Sequence, residues 1–128
     1  MPGRILLDTN IVVALFPAEE AVSRRFVEGE VSIPSTVLGE LYYGALKSVH
    51  TARNLARIND LAESVKVLDC DAVTARYYGQ IKDRWRVKGR PIPENDIWIA
   101  AVALQFELPL ATRDDHFKEV EGLTLEVW

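Results

Sequence analysis

Short apolar runs of strand length alternate with longer segments of helical periodicity, and the apolar runs end on polar residues or proline. These two observations predict an α/β domain with a mostly parallel sheet covered by helices. A third is that the 128 residues hold no repeats, no low-complexity tracts and no Pro/Gly/Ser-rich linker. Residues 1–128 are therefore expected to form a single domain.

Arg4–Leu7 is expected to be a buried strand that ends at Asp8, and Val31–Ile33 a second one closed by Pro34. A helix over Thr36–Ser48 follows from Leu38, Leu41, Tyr42, Ala45 and Leu46, with Ser35 as its N-cap and His50 near its end. Thr51–Glu63 places Leu55, Ile58, Leu61 and Ala62 on one helical face. Val65–Leu68 is the third strand. Asp71–Val87 is a helix with Asp71 as N-cap and Val73, Tyr77, Ile81 and Trp85 spaced by four. Gly89 and Pro91 end it, and Pro93 opens the next helix, Glu94 to Phe106. Leu110–Thr112 and the alternating Leu123–Val127 complete the strands. In parallel sheets of this kind, function gathers at the carboxyl ends of the strands.

The chain has 15 Lys+Arg against 19 Asp+Glu, a net charge of −4. It is not basic all over, as many nucleic-acid binders are, although a local basic patch remains compatible with that sum. The single cysteine, Cys70, excludes an internal disulfide. With only His50 and His116 beside it, a zinc finger or ribbon is excluded too. A reducing cytoplasm is the simplest compartment. The longest apolar run, Ile97 to Leu104, is too short to span a membrane, and Asp8 and Asn10 interrupt the stretch where a signal peptide would have its apolar core. Neither a phosphate-binding glycine loop, a nucleophile-elbow serine nor a zinc-protease motif is present. His116 reads as a loop residue or a substrate contact.

Four acids have distinctive positions. Asp8 and Asp114 follow strands, so parallel strands bring both to one edge of the sheet. Glu40 lies mid-helix between Gly39 and Gly44, whose presence suggests close approach to another element. Asp96 lies in the first turn of the most apolar helix, with Ile99, Ala100 and Ala103 on its side. Asp115 competes with Asp114 for the fourth place. Holding two carboxylates within ~4 Å costs roughly 4 kcal/mol at an effective dielectric near ~20. A cluster of four is therefore expected to hold a cation, and hard oxygen donors select Mg²⁺ or Mn²⁺. Such an ion polarises a phosphoryl oxygen and acidifies water, which suits phosphodiester hydrolysis without a covalent intermediate.

The motifs Leu7-Asp8-Thr9-Asn10, Gly39-Glu40-Leu41-Tyr42-Tyr43-Gly44, Glu94-Asn95-Asp96-Ile97-Trp98-Ile99-Ala100-Ala101 and Ala111-Thr112-Arg113-Asp114 occur in that order over nearly the whole chain. Together they resemble the PIN-domain nucleases, in particular the VapC-type toxin ribonucleases of toxin–antitoxin pairs. The resemblance implies a three-layer α/β/α sandwich and Mg²⁺-dependent endoribonuclease activity, with neutralisation by a small cognate antitoxin. It implies that Asp8 and Asp96 carry the metal, that Glu40 helps hold it or positions water, and that Asp114 is the fourth acid. Thr9, Asn10 and Thr112 match small polar residues that support the acids, and Asp115 is placed with them.

Two other classes remain open at this point: a phosphatase with Asp8 as nucleophile, and a non-catalytic module with the same fold. Asn10 stands where haloacid-dehalogenase-like phosphatases carry a second Asp, which counts against the former. Lys82 to Arg90 holds five cations and one acid. Arg84, Arg86, Lys88 and Arg90, joined by Arg113, form a candidate RNA phosphate rim beside Asp96. Tyr42, Tyr43, Leu46 and the segment Arg24–Val27 exceed what one core requires, which fits a homodimer or an antitoxin groove.

Overall fold

The computed structural model describes residues 4–16, 26, 30–89 and 92–128. Arg90 and most of the Arg24–Val27 segment lie outside these residues. The elements in order are β1 (Arg4–Leu7), α1 (Thr9–Leu15), β2 (Glu30–Pro34), α2 (Ser35–Leu46), α3 (Thr51–Ser64), β3 (Lys66–Leu68), α4 (Ala72–Lys88), α5 (Glu94–Gln105), β4 (Leu110–Ala111), a 3₁₀ turn (Asp115–Glu119) and β5 (Leu125–Glu126). The result is the three-layer α/β/α sandwich expected.

The sheet runs β3-β2-β1-β4-β5, with every neighbouring pair parallel. From β1 the chain builds outward to β2 and β3, then returns to the other side of β1 for β4 and β5. The carboxyl ends of β1 and β4 thus flank the point where the strand order reverses, where sheets of this kind leave a crevice. Leu7 is in register with Ala111, so Asp8 and Thr112 emerge side by side at that crevice.

β1 is central and, after Arg4, fully buried, which accounts for its unbroken Ile5-Leu6-Leu7 run. α5 is the most buried helix: Ile97 and every residue from Ile99 to Ala103 are out of solvent. Ala100, Ala101 and Ala103 let it lie close against the core. α4 packs along α5, and α2 packs on α3 while also reaching α1 and α5.

α4 is well delimited by its sequence. Asp71 caps it with its carboxylate on the Val73 and Thr74 amides, and the Thr74 hydroxyl accepts from the Asp71 amide in return. Gly89 ends it with φ +70°, the left-handed conformation that glycine adopts without penalty. The buried face runs through Thr74, Ile81 and Trp85, whereas Val73 is exposed. Glu94, at the start of α5, meets Lys82 and the Tyr78 hydroxyl, and the Tyr78 and Trp98 rings stack at 4.2 Å. These contacts fix the first turn of α5 against α4.

The structure corrects several local expectations. Pro34, in extended conformation, occupies the N-cap of α2, and Ser35 is already helical. Helix α2 stops at Leu46, where Ser48 bonds back to the Ala45 carbonyl, so His50 precedes α3 instead of ending α2. A Cβ on Gly39 or Gly44 would meet nothing within 4 Å among the described residues, so neither glycine serves a close approach. No helical periodicity marks α1, because its apolar Ile11-Val12-Val13-Ala14-Leu15 run carries no polar face, yet Asp8 caps it at the turn after β1. Among the described residues, no helix is long and apolar enough to cross a membrane.

Candidate active site

Asp8 leaves β1 still tied to the sheet, its amide donating to the Ala111 carbonyl at 3.0 Å. Its backbone is extended and its side chain turns back to cap α1, Oδ1 accepting from the Thr9 amide at 2.8 Å. The other oxygen accepts from the Thr112 hydroxyl at 2.7 Å. That hydroxyl in turn accepts from the Asp114 amide at 3.0 Å. Thr112 therefore links the two strand exits.

Glu40 enters from α2, where its Oε2 accepts from the Thr9 hydroxyl at 3.0 Å. Asp96 enters from the first turn of α5, whose N-terminal dipole favours a carboxylate. Asp114 caps the 3₁₀ turn, its Oδ1 accepting from the His116 amide at 3.0 Å. The His116 ring lies over the same acids, with Nδ1 2.9 Å from Asp114 Oδ1 and 3.5 Å from Asp96 Oδ2.

The charges sense one another. Burial pushes the Asp8 carboxyl up, for the side chain's residue is only 4% exposed, and the Glu40 and Asp114 charges add to that push. The bonds from Thr112 and Thr9 oppose it. Asp96 is pushed up to about 6, first by burial and then by the charges of Asp8 and Asp114, with His116 opposing. Each of the four acids thus raises, or is raised by, another. One donor atom each from Asp96, Asp114 and His116 lies within 4.8 Å of the others. Crowded, partly desolvated oxygen donors of this kind fit a divalent cation.

Of the expected supporting residues, Thr9 and Thr112 bond directly to the acids. Asn10 instead accepts from the Arg113 amide at 3.4 Å and steadies the loop after β4. Asp115 does not join the cluster. It is the first residue of the 3₁₀ turn and faces outward, 86% exposed and paired with Lys118 at 3.0 Å. Arg113 turns its guanidinium to the Trp128 carbonyl at 3.0 Å. In the basic stretch, Arg84 pairs with Glu121 and Arg86 with Asp83, while Lys88 lines a cavity of about 170 Å³ with Tyr77, Trp85 and Glu119. His116, expected as a loop residue or a substrate contact, lies instead over the acids. Its only signal was its spacing, two residues beyond Asp114, which brings the ring over the acid only if a tight turn follows.

A family model described as the PIN domain matches residues 5–123. The chain is a PIN domain. Among its relatives, a tRNA(fMet)-specific endonuclease VapC from Shigella flexneri is 38% identical, with 98% of each chain covered. Ribonuclease VapC2 from Haemophilus influenzae is 37% identical, again with 98% of each covered. The crystal structure of DNA-bound VapBC from Salmonella typhimurium matches with a TM-score of 0.92 and 32% identity over 100% of this chain and 99% of that one. This PIN domain therefore belongs with the VapC ribonucleases. In it, Asp8, Glu40, Asp96 and Asp114 come from four separate elements to the carboxyl edge of the sheet.

Proposed function

We propose that this PIN domain is a Mg²⁺- or Mn²⁺-dependent endoribonuclease, the toxin of a toxin–antitoxin pair, neutralised by a small cognate antitoxin. One observation carries the reading: four carboxylates from distant parts of the chain face one crevice, where burial pushes Asp8 and Asp96 up and the charges of their acidic neighbours add to the push. A stable fold without a ligand has no use for that repulsion.

Asp8, Asp96, Glu40 and Asp114 would hold the ion, which when bound supplies positive charge to the phosphodiester and acidifies water. The chain's own residues do the remainder. Thr112 and Thr9 fix the Asp8 oxygens and limit its rotation. Glu40, with one oxygen on Thr9 and the other unbonded among the described residues, is placed to orient the attacking water. Burial of Asp8 keeps bulk water from screening the site. Arg84 and Arg86 are exposed and available to exchange their carboxylate partners for RNA phosphates, and exposed Lys88 can join them. Exposed Tyr43 and Leu46 on α2 are the surface we assign to a second copy or to the antitoxin.

The test compares wild type with Asp8→Asn and Asp96→Asn on structured RNA, in Mg²⁺, Mn²⁺ and EDTA. Cleavage by wild type with either ion alone supports the proposal. Cleavage that persists in EDTA or in both variants overturns the mechanism. No cleavage by an antitoxin-free, metal-loaded sample favours a non-catalytic module.

A further inference from the structure

Each acid in the crevice has a donor that orients it. The Thr9 amide and the Thr112 hydroxyl hold Asp8, and the Thr9 hydroxyl holds Glu40. For the other two, Asp96 and Asp114, the cationic or ring nitrogen that approaches both among the described residues is one and the same imidazole Nδ1. We infer that His116 is a positioning residue that sets the separation and rotation of Asp96 and Asp114 as a pair of cation ligands.

The geometry supports this in three ways. First, Asp114 Oδ1 receives two contacts from one residue, the His116 amide at 3.0 Å and its Nδ1 at 2.9 Å. That oxygen is fully engaged, which leaves the second oxygen as the one free to bind an ion. An ionised carboxylate only accepts, so a proton on Nδ1 is what would make the 2.9 Å approach to Asp114 favourable. Second, the same Nδ1 is 3.5 Å from Asp96 Oδ2. The ring therefore bridges α5 and the 3₁₀ turn, two elements separated in sequence by β4 and its flanking loops. Third, the ring's own position is determined. Phe117, the next residue, is fully buried, and Lys118 clips back to Asp115 across the same turn at 3.0 Å. Donors behind ligating carboxylates fix their orientation, and losing one commonly lowers metal affinity about 10–100-fold.

The inference rests on the proposal that the four acids bind a divalent cation, and the test separates the two. Mn²⁺ binding to the full chain is measured by electron paramagnetic resonance without RNA, alongside the melting temperature in EDTA. The variants are His116→Leu, which removes the donor, and His116→Gln, which keeps a side-chain N–H within reach of Asp114. We expect His116→Leu to weaken Mn²⁺ binding about 10–100-fold and His116→Gln to recover most of it. Equal Mn²⁺ binding by wild type and His116→Leu overturns the inference while leaving the cation site standing. Loss of binding in both variants also overturns it, because a ligating nitrogen and not a donor would then be at work. A fall in melting temperature with unchanged Mn²⁺ affinity assigns His116 a structural role only and overturns it as well. Absence of Mn²⁺ binding by wild type removes the cation site and the inference together.

Discussion

The acid crevice and the basic end of α4 are opposites in how charge is arranged. Asp8, Glu40, Asp96 and Asp114 are spread over more than a hundred positions, yet the fold gathers them so closely that, beyond burial, their charges help push Asp8 and Asp96 up. Lys82, Arg84, Arg86 and Lys88 alternate with other residues over one short stretch of sequence, yet the helix fans them around its axis. There Lys82 meets Glu94, Arg84 meets Glu121 and Arg86 meets Asp83, all in solvent. Charge that is concentrated in sequence is dispersed in space, and the reverse. Of these two regions, the crevice is the one whose like charges push against one another, so there a counter-ion gains much by binding.

Breaking the crevice should have the largest effect. Asp8→Asn keeps the shape of the side chain and removes a buried charge. RNA cleavage is expected to fall by on the order of 10²–10⁴-fold, the range associated with loss of a group acting at the reacting centre. The melting temperature in EDTA is expected to hold or rise, since the charge removed was unfavourably buried. Calorimetry beside a cleavage assay checks both. A fall in both together would mean that Asp8 serves the fold, through its cap on α1, more than the chemistry.

Thr112→Val, nearly equal in volume, should come next. It deletes the bond to Asp8 and leaves the Asp114 amide without its acceptor. Metal affinity is expected to fall about 10–100-fold, and stability by about 1–3 kcal/mol for the buried groups left unpaired. Denaturant unfolding and metal titration separate the two losses.

A pH comparison sharpens the same contrast. Asp96 binds its proton up to about pH 6 when folded, but only to its ordinary 3.8 when unfolded. The folded chain then holds a proton that the unfolded chain releases, so this group's contribution to stability falls as pH rises from 3.8 to about 6. Asp8 acts in the same direction. In EDTA, Asp96→Asn should therefore gain stability over wild type between pH 5 and 7.5, by calorimetry. Mg²⁺ should raise the wild-type melting temperature more at pH 7.5 than at pH 5. An equal rise at both would show that ion binding does not draw on the repulsion.

Much of this was legible in the sequence because local rules agree with the fold. The strand at Arg4–Leu7, the cap at Asp71 and the stop at Gly89 each rest on residues whose preference the structure uses. Asp8 does two things at once, since it caps α1 and faces the crevice. What was not legible depends on tertiary placement. α1 is seven residues long and buried through Ile11, Val12 and Ala14, so no polar face marks its period. Asp114 and Asp115 are adjacent and chemically alike. Only the 3₁₀ turn decides that the first caps inward and the second faces Lys118. His116 joins the acids through that same turn, which no pattern in Asp114-Asp115-His116 announces.

The smallest expected effect lies in the basic stretch. Lys82, Arg84 and Arg86 are exposed and paired there, and an exposed pair contributes only ~0–1 kcal/mol. Arg84→Glu sets two acids against each other at Glu121, so a small loss of stability is expected and no loss of fold. The RNA effect is separable by salt. Each phosphate contact on a single strand contributes about 0.7 to the slope of log affinity against log salt. Reversing Arg84, Arg86 and Lys88 together should weaken RNA binding at low salt and flatten that slope, with the cleavage step on bound RNA little changed. If binding and slope both stay as in wild type, these cations are only the solvated end of a helix, placed there by its dipole. The comparison would then become sharper still, with all the function of this edge of the molecule in the crevice.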